Sequence, residues 1–238
     1  MKYSRLLPVI FALSLTVAAE EQRIKLGEDE VTIDGQQMEL KEQGKVVIFR
    51  GDVVVTHQNQ VLEADQMTQN KETGHIQAEG HVRMRRQNSD GTVMTGFGDG
   101  ATYEQVTGEG TLTGKRPYLT YRDPRDRDKS VQVYATRFDF SERDNTLVGH
   151  QDVELIQSAT SWATAEKATF RNDVQALTLE GGPPRPQMYR KMDKGEAYFN
   201  SDRMIFYLKE KKAELIDRAK GLLIPAQPAS AKSEKPAS

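Results

Sequence analysis

The stretch FRGDVVVTHQNQVLEADQM (Phe49 to Met67) decides the expected fold of this chain. A glycine precedes a run of β-branched residues, a polar turn follows, and apolar residues then resume on alternate positions as far as Ala64. Apolar residues on every second position are typical of a strand with one buried face. The stretch therefore predicts two antiparallel strands joined by a short turn.

The same alternation occurs along most of the chain, in short segments separated by Gly, Asn, Asp or charged pairs. Helical periodicity is nearly absent, and we interpret the segment from Asp202 to Ile224 as a strand, a turn at Lys209–Lys212 and a further strand. The pattern predicts an all-β protein with many short antiparallel strands. Clear examples of alternating pairs are Val31 and Ile33, Met38 and Leu40, Val53 and Val55, Phe138 and Phe140, and Val153 and Leu155.

Self-similarity along the chain predicts how these strands are organised. Five or six units, each of roughly thirty residues, contain an outgoing strand, a polar turn and a returning strand that ends near a glycine. A propeller blade is longer, and a single unit cannot bury its own apolar face. We therefore expect stacked strand pairs folded over like a bent sheet. Its interior trough would be lined by Val, Ile, Leu, Met and Ala, and its end strands would be open.

The two ends of the chain differ in composition from the middle. Residues 1–19 combine Lys2 and Arg5 with a short apolar run and end in Ala18–Ala19, which predicts a signal peptide cleaved before Glu20 and hence an exported protein. The alternative is an uncleaved membrane anchor, although the run is shorter than the roughly 18–20 residues that a spanning helix needs. Residues 225–238, rich in Ala, Ser, Pro and Lys, are expected to be a disordered tail. The folded domain should then cover residues 24–224.

Composition excludes several classes of function. The chain has no cysteine, which rules out disulfides and thiolate metal sites. Its formal net charge of −2 provides no overall field that would attract nucleic acid, so no nucleic-acid partner is expected.

No group of residues in the sequence predicts catalysis. Glu63 and Asp65 are two residues apart and could form a carboxylate pair, but two acids on the solvent face of a sheet are ordinary. The motif GFGDG (Gly96 to Gly100) lacks the Lys-Ser/Thr and helix of a phosphate loop and indicates a turn or bulge. The four histidines form no cluster with carboxylates. We predict no enzyme, no metal and no cofactor.

The segment VTIDGQQMELKEQGKVVIFRGDVVVTHQNQVLEADQM (Val31 to Met67) closely resembles the opening of the LptA/OstA family of periplasmic lipopolysaccharide transport proteins. That family shows the same order of an alternating strand, a polar turn, a segment like VVIFRGDVVV (Val46 to Val55), and an Ala-Asp pair, here Ala64–Asp65. The resemblance is strong to about Val82 and continues as weaker repeats to about Ile224. The pattern is shared with LptC and with the N-terminal part of LptD.

The resemblance implies a folded-over antiparallel β-jelly-roll that carries the acyl chains of lipid A in its trough. It implies the periplasm as location and a carrier that passes lipopolysaccharide from the inner to the outer membrane. Expected partners are lipopolysaccharide, LptC-like and LptD-like proteins that stack strand edge to strand edge, and further copies of this chain stacked head to tail. The groove residues expected in the first two repeats are Val31, Ile33, Met38, Leu40, Val53, Val55, Leu62 and Ala64.

Two other functions are compatible with the same sequence. One is an LptC-like component that keeps its N-terminal segment as an inner-membrane anchor, and the other is a structural envelope protein with a filled core. The distribution of Phe138, Phe140, Trp162 and Phe170 predicts a hollow first half and a better filled second half. We expect unpaired edges at Val31–Ile33 and at Leu215–Ile224, which would serve for stacking.

Overall fold

Strands account for nearly all regular structure in the part of the chain that the structure describes. In the structure, a computed structural model, residues 23–26, 29–88, 91–123, 130–207, 210 and 212–226 are described, with side chains from residue 32 onward. One short 3₁₀ turn, Glu42–Gly44, lies among nineteen strands in these ranges. The strands are β1 Arg23–Leu26, β2 Asp29–Asp34, β3 Gln37–Lys41, β4 Val46–His57, β5 Gln60–Asn70, β6 His75–Gln87, β7 Val93–Glu104, β8 Glu109–Thr113, β9 Tyr118–Arg122, β10 Ser130–Tyr134, β11 Arg137–Ser141, β12 Thr146–Ser158, β13 Ser161–Arg171, β14 Ala176–Glu180, β15 Gln187–Met192, β16 Gly195–Asn200, β17 Arg203–Tyr207, β18 Lys212–Ile216 and β19 Lys220–Pro225.

All of these strands belong to one antiparallel sheet that is folded into two layers. Each long strand contributes one half to each layer: residues 46–50 of β4 pair with β3, whereas residues 53–57 pair with β2. Layer A contains, in order, β3, β4, β5, β6, β7, β8, β11, β12, β13, β14, β17 and β18. Layer B contains, in order, β1, β2, β4, β5, β6, β7, β9, β10, β12, β13, β15, β16 and β19. The predicted all-β, folded-over antiparallel architecture is confirmed.

The line along which the sheet folds, which we call the spine, is built by bulges in three long strands. The bulged pairs are Gly51–Asp52 in β4, Gly80–His81 in β6 and Gln151–Asp152 in β12, and every one of these residues has a positive φ. The pairing register shifts at each bulge by one residue. A bulge bends its strand and increases the local twist. Because bulges lie at the same level on three strands, the sheet bends along this line and forms two layers.

Gly80 is the spine position with the least space for a side chain. Its φ is +72°, and a Cβ placed there would collide with the Asp65 carboxylate. That carboxylate is 2.8 Å from His81 Nδ1, and the hydrogen bond with Asp65 raises the pKa of His81. A glycine at this place satisfies both the left-handed backbone and the close approach of β5.

The motif GFGDG, for which we predicted a turn or bulge, lies inside strand β7. Gly98 pairs with Val82 and Gly100 with Glu79, so the crossing from one layer to the other falls between these glycines. The bulge is on β6, the partner strand, rather than on the motif. Gly98 has no room for a side chain, because its Cβ would meet the Thr113 carbonyl oxygen at 2.5 Å. The glycines therefore permit close approach of β8 rather than a turn.

The open edges of the sheet lie partly where we expected them. At the C-terminal end β18 and β19 each pair on one side only among the described residues, as predicted for Leu215–Ile224. At the other end the prediction for Val31–Ile33 was wrong, because β1 pairs with β2 and covers that side. In layer A the edge is β3, which pairs only with β4 within the described chain. The predicted signal peptide, residues 1–19, and residues 227–238 of the predicted tail lie outside the described residues.

Turns along the free rim of layer A are joined in series by backbone hydrogen bonds. The Lys71 N–H donates to the Lys45 carbonyl at 2.8 Å, Gln105 to Gly74 at 3.1 Å, and Glu142 to Gly108 at 2.9 Å. The turns are thereby held at strand spacing beyond the ends of the strands themselves. This ladder fixes the position of the Glu142 backbone.

Candidate functional site

The space between the two layers, which we call the trough, is lined by alternate residues of each strand. Val53 pairs with Ala64 and Val55 with Leu62, and Ile33 pairs with Val55. These five side chains share the inner face and are less than a tenth exposed. Intervening residues such as Val54 and Thr32 are half-buried. Alternation predicted which residues share this face.

The other three expected groove residues differ in position. Met38 pairs with Phe49 and is half-buried against the core. Leu40 pairs with the fully buried Val47, yet it is 44% exposed because β3 is an edge strand with a neighbour on one side. Val31 lies in β2 opposite His57. The role of all eight residues in binding a lipid stays a prediction.

A cavity of about 190 Å³ lies in the trough near the middle of the sheet. Small residues on the inner face, among them Ala78, Gly96 and Ala101, leave this space open, and larger apolar side chains line its remaining walls. The contributing side chains come from both halves of the chain, for example Leu62 and Phe170. The expected division into a hollow first half and a filled second half is therefore not what the structure shows.

The aromatic residues that we expected to fill the second half are divided between the two faces. Phe138 is 1% exposed in the core, and Phe140 and Phe170 line the cavity. Trp162 lies on the outer face of layer B, between the buried Ala163 and the turn that precedes β13. Its ring is 5.6 Å from that of Tyr189. Alternation around Ala163 and Ala165 places Trp162 outside, and the expectation of an interior tryptophan was wrong.

A charged and polar cluster lies in the wall of this otherwise apolar cavity. It consists of Arg86 at the end of β6 in layer B, Tyr103 in layer A, and Glu142 in the turn after β11. Burial raises the pKa of Glu142 to about 7, although a hydrogen bond from Tyr103 and the charge of Arg86 both act to lower it. Burial likewise raises the pKa of the Tyr103 hydroxyl and lowers that of Arg86. We call these three residues the mouth cluster.

Sequence reasoning did not identify the mouth cluster. Glu142 belongs to the turn SERDN (Ser141 to Asn145), whose composition is that of an ordinary solvated turn. Its burial depends on Arg86, in the layer B half of β6, and on Tyr103, in the layer A half of β7, and both are remote from Glu142 in sequence. No local pattern carries that information.

We expect the stability of the protein to change with pH through Glu142. A carboxyl group with a raised pKa in the folded state holds its proton there more tightly than in the unfolded chain, so its stabilising effect is complete below its ordinary pKa of 4.5 and is lost as pH rises to about 7. The Glu142→Gln variant should lack this dependence. Thermal unfolding of both proteins across this pH range measures it.

The difference between the two unfolding curves isolates Glu142, because His81 and all other titrating groups are common to both proteins. If the stability of the wild type and of Glu142→Gln changed in parallel from about pH 4.5 to about pH 7, the carboxyl group would have an ordinary pKa and could not be buried as described.

The acidic residues that we weighed as a catalytic pair have separate partners. Glu63 forms an ion pair with Arg83 at 3.2 Å on the outer face, and Asp65 contacts His81 on the spine. Among the described residues no group of three or more His, Asp or Glu side chains is placed to hold a metal ion. Over the same ranges no helix is long and apolar enough to span a membrane.

Comparison with known proteins gives a family match for part of the chain. Residues 32–131 match the family described as LptA/(LptD N-terminal domain) LPS transport protein. That description is one of transport proteins and agrees with the prediction that the chain is no enzyme. No curated protein matches the chain significantly.

Several solved structures resemble the chain. One is the crystal structure of LptH, the LptA-homologous periplasmic component of the conserved lipopolysaccharide transport device of Pseudomonas aeruginosa. It shares 18% sequence identity with this chain at a TM-score of 0.36, and the match covers 68% of this chain and 95% of LptH.

Proposed function

We propose that this chain is a periplasmic carrier of lipopolysaccharide, because its residues 32–131 match the family described as LptA/(LptD N-terminal domain) LPS transport protein. The lipid would pass from the inner to the outer membrane with its acyl chains in the trough. The observation that carries the proposal is the inner face of the first repeats. There Ile33, Val53, Val55, Leu62 and Ala64 form one continuous apolar surface between two layers.

The physical requirement for such a carrier follows from the hydrophobic effect. Each CH₂ group removed from water contributes about 0.8 kcal/mol, so a lipid with several acyl chains does not cross an aqueous compartment unaccompanied. A trough between two layers shields the chains along its length. The cavity in the middle of the sheet supports this function, since a purely structural sheet would be filled there with large side chains.

The open strands at the ends of the sheet suit a bridge made of several proteins. Edge strands present unpaired N–H and C=O groups, and a strand of another protein can add to them. We propose that β3 of layer A and the C-terminal strands β18 and β19 serve LptC-like and LptD-like partners, or a further copy of this chain. Head-to-tail addition at two different ends does not close into a ring of two. It therefore extends the trough.

Photo-crosslinking tests the carrier function directly. A photo-reactive residue at Val55 should capture lipopolysaccharide, whereas the same residue at Val54 should not, because neighbouring residues of a strand point to opposite faces. Ile33 and Thr32 provide a second matched pair on β2. Capture is measured on gels with purified lipopolysaccharide. Equal capture at both residues of each pair, or none at all, would contradict transport through the trough.

A further inference from the structure

The mouth cluster is unusual because it places a carboxylate in the wall of an apolar cavity. The backbone of Glu142 is fixed by its hydrogen bond to Gly108, at 2.9 Å. Its side chain accepts a hydrogen bond from Tyr103 and faces Arg86. The Oε1 atom of Glu142 is buried and accepts no hydrogen bond from any residue that the structure describes. A buried carboxylate with one unsatisfied oxygen is a costly arrangement that folding alone does not require.

The arrangement as a whole has the form of an amphiphile site. An apolar cavity extends into the trough, and a guanidinium and a phenol hydroxyl are present in its wall. The two side chains are donors suited to an anionic group, because arginine binds carboxylates and phosphates with directed N–H bonds. In the structure the anionic position is taken by the side chain of Glu142.

We propose that the cavity binds a single hydrocarbon chain of an anionic amphiphile, whose carboxylate or phosphate replaces the Glu142 carboxylate against Arg86 and Tyr103. This inference rests on the proposed function in that the trough must admit lipid. Glu142 then acts as an internal competitor that occupies the headgroup position when no ligand is bound. The site recognises the headgroup as well as the chain, which an apolar trough alone does not do.

The size of the cavity sets the number of chains. At about 190 Å³ it is only slightly larger than an engineered protein cavity of about 150 Å³ that binds benzene. The cavity therefore accepts a segment of a single chain while the layers keep this spacing. A lipid with several chains would have to separate the layers, and a single-chain amphiphile would not.

Because Glu142 competes with the ligand headgroup, the affinity of the site for an anionic amphiphile should depend on pH. Of the groups that face Glu142 across the cavity, Arg86 from β6 is charged and Tyr103 from β7 is titratable. When Glu142 is ionised it repels an incoming anion and neutralises Arg86. When it is protonated, both effects disappear. Affinity for an anionic amphiphile should therefore rise as pH falls through about 7.

Displacement of a fluorescent fatty acid tests this site. The full chain is loaded with cis-parinaric acid, which is then displaced by dodecanoate or dodecyl phosphate below their micellar concentrations, or by dodecanol below its solubility limit. The two anions separate carboxylate from phosphate recognition, and the alcohol provides the same chain without charge. The anion that binds the protein more tightly should displace the probe at about tenfold lower concentration than dodecanol, as expected for a charge-assisted hydrogen bond.

Two variants separate headgroup recognition from chain binding. Arg86→Gln should weaken binding of the preferred anion about tenfold and leave dodecanol unchanged. Glu142→Gln should strengthen anion binding several-fold above about pH 7 and abolish the pH dependence measured with dodecanoate. Misfolding would not raise the affinity for the anion while leaving that for dodecanol unchanged, so this variant remains informative if Arg86→Gln is unstable.

The outcomes distinguish this inference from the carrier function. Equal displacement by the alcohol and both anions, or unchanged anion affinity in Glu142→Gln, would overturn the headgroup site while lipopolysaccharide capture at Val55 remained. Conversely, headgroup-dependent displacement without capture at Val55 would support the amphiphile site and contradict the carrier function.

Discussion

Replacing Val53 by aspartate is expected to abolish lipopolysaccharide capture and to lower the free energy of unfolding substantially. Val53 is 1% exposed on the inner face and pairs with Ala64. Among the described residues Val53 belongs to an apolar cluster, so a carboxylate there would be uncompensated, and an uncompensated charge in a protein interior costs about 3–5 kcal/mol. With a photo-reactive residue at Val55, capture measures the first effect, and urea unfolding measures the second.

Matched variants on the same strand provide the controls. Thr56→Asp introduces the same charge on the outer face of β4, opposite Val61, where water can solvate it. It should retain capture and lose less than about 1 kcal/mol. Val53→Thr preserves the shape and tests polarity without charge, so its losses should be intermediate. A folded Val53→Asp protein that captures lipid as well as Thr56→Asp would show that the acyl chains do not contact this face.

Phe138→Ala should produce the largest loss of stability among single truncations in the core. The ring is 1% exposed and packs against Gly149 and Ala135, two residues too small to fill the vacated space. It also joins β8 to β12, since Phe138 pairs with Leu112 on one side and with Gly149 on the other. Truncating a buried phenylalanine costs about 3–5 kcal/mol. Urea unfolding of the variant measures the loss.

Phe97→Ala is the matched comparison for an aromatic residue on the outer face. Its ring stacks on Tyr118 with centroids 4.6 Å apart, and the Arg83 guanidinium lies 5.9 Å from the ring centroid. Such exposed pairs contribute about 1 kcal/mol each. Comparable losses in Phe97→Ala and Phe138→Ala would mean that the interior between the layers is not the main source of stability.

Much of the fold was predictable because strand alternation is a local property. The positions of Val53 and Val55 relative to Leu62 and Ala64 follow from the period of two and from one short turn. The two strands expected in Asp202 to Ile224 are present as β17 and β18, and β19 follows them. The turn expected at Lys209–Lys212 lies partly outside the described residues. The prediction that Trp162 lies in the interior was wrong because it followed from the size of the side chain. Trp162 is the neighbour of the buried Ala163 in the strand, and it therefore points to the opposite, outer face.

Features that depend on two distant strands were not predictable in this way. The exposure of Leu40 depends on β3 having one neighbour, and the covered side of β2 depends on pairing with β1. The alternation of buried and exposed positions shifts by one residue at the spine. In β5 the buried residues are Leu62 and Ala64 before the spine and Met67 after it. The opposing bulge in β4 causes that shift. The sequence of β5 shows that the alternation ends after Ala64, but not that the sheet folds there.

The amino-acid sequence by itself determined the all-β class, the strand pairs and the apolar inner face of this protein, because these follow from the alternation of side chains along each strand. Tertiary structure alone decided where the sheet folds, where the cavity remains open and how Arg86, Tyr103 and Glu142 meet in its wall. These features arise between layers. The distance between two layers depends on every bulge and small residue along the spine, and no single segment specifies it.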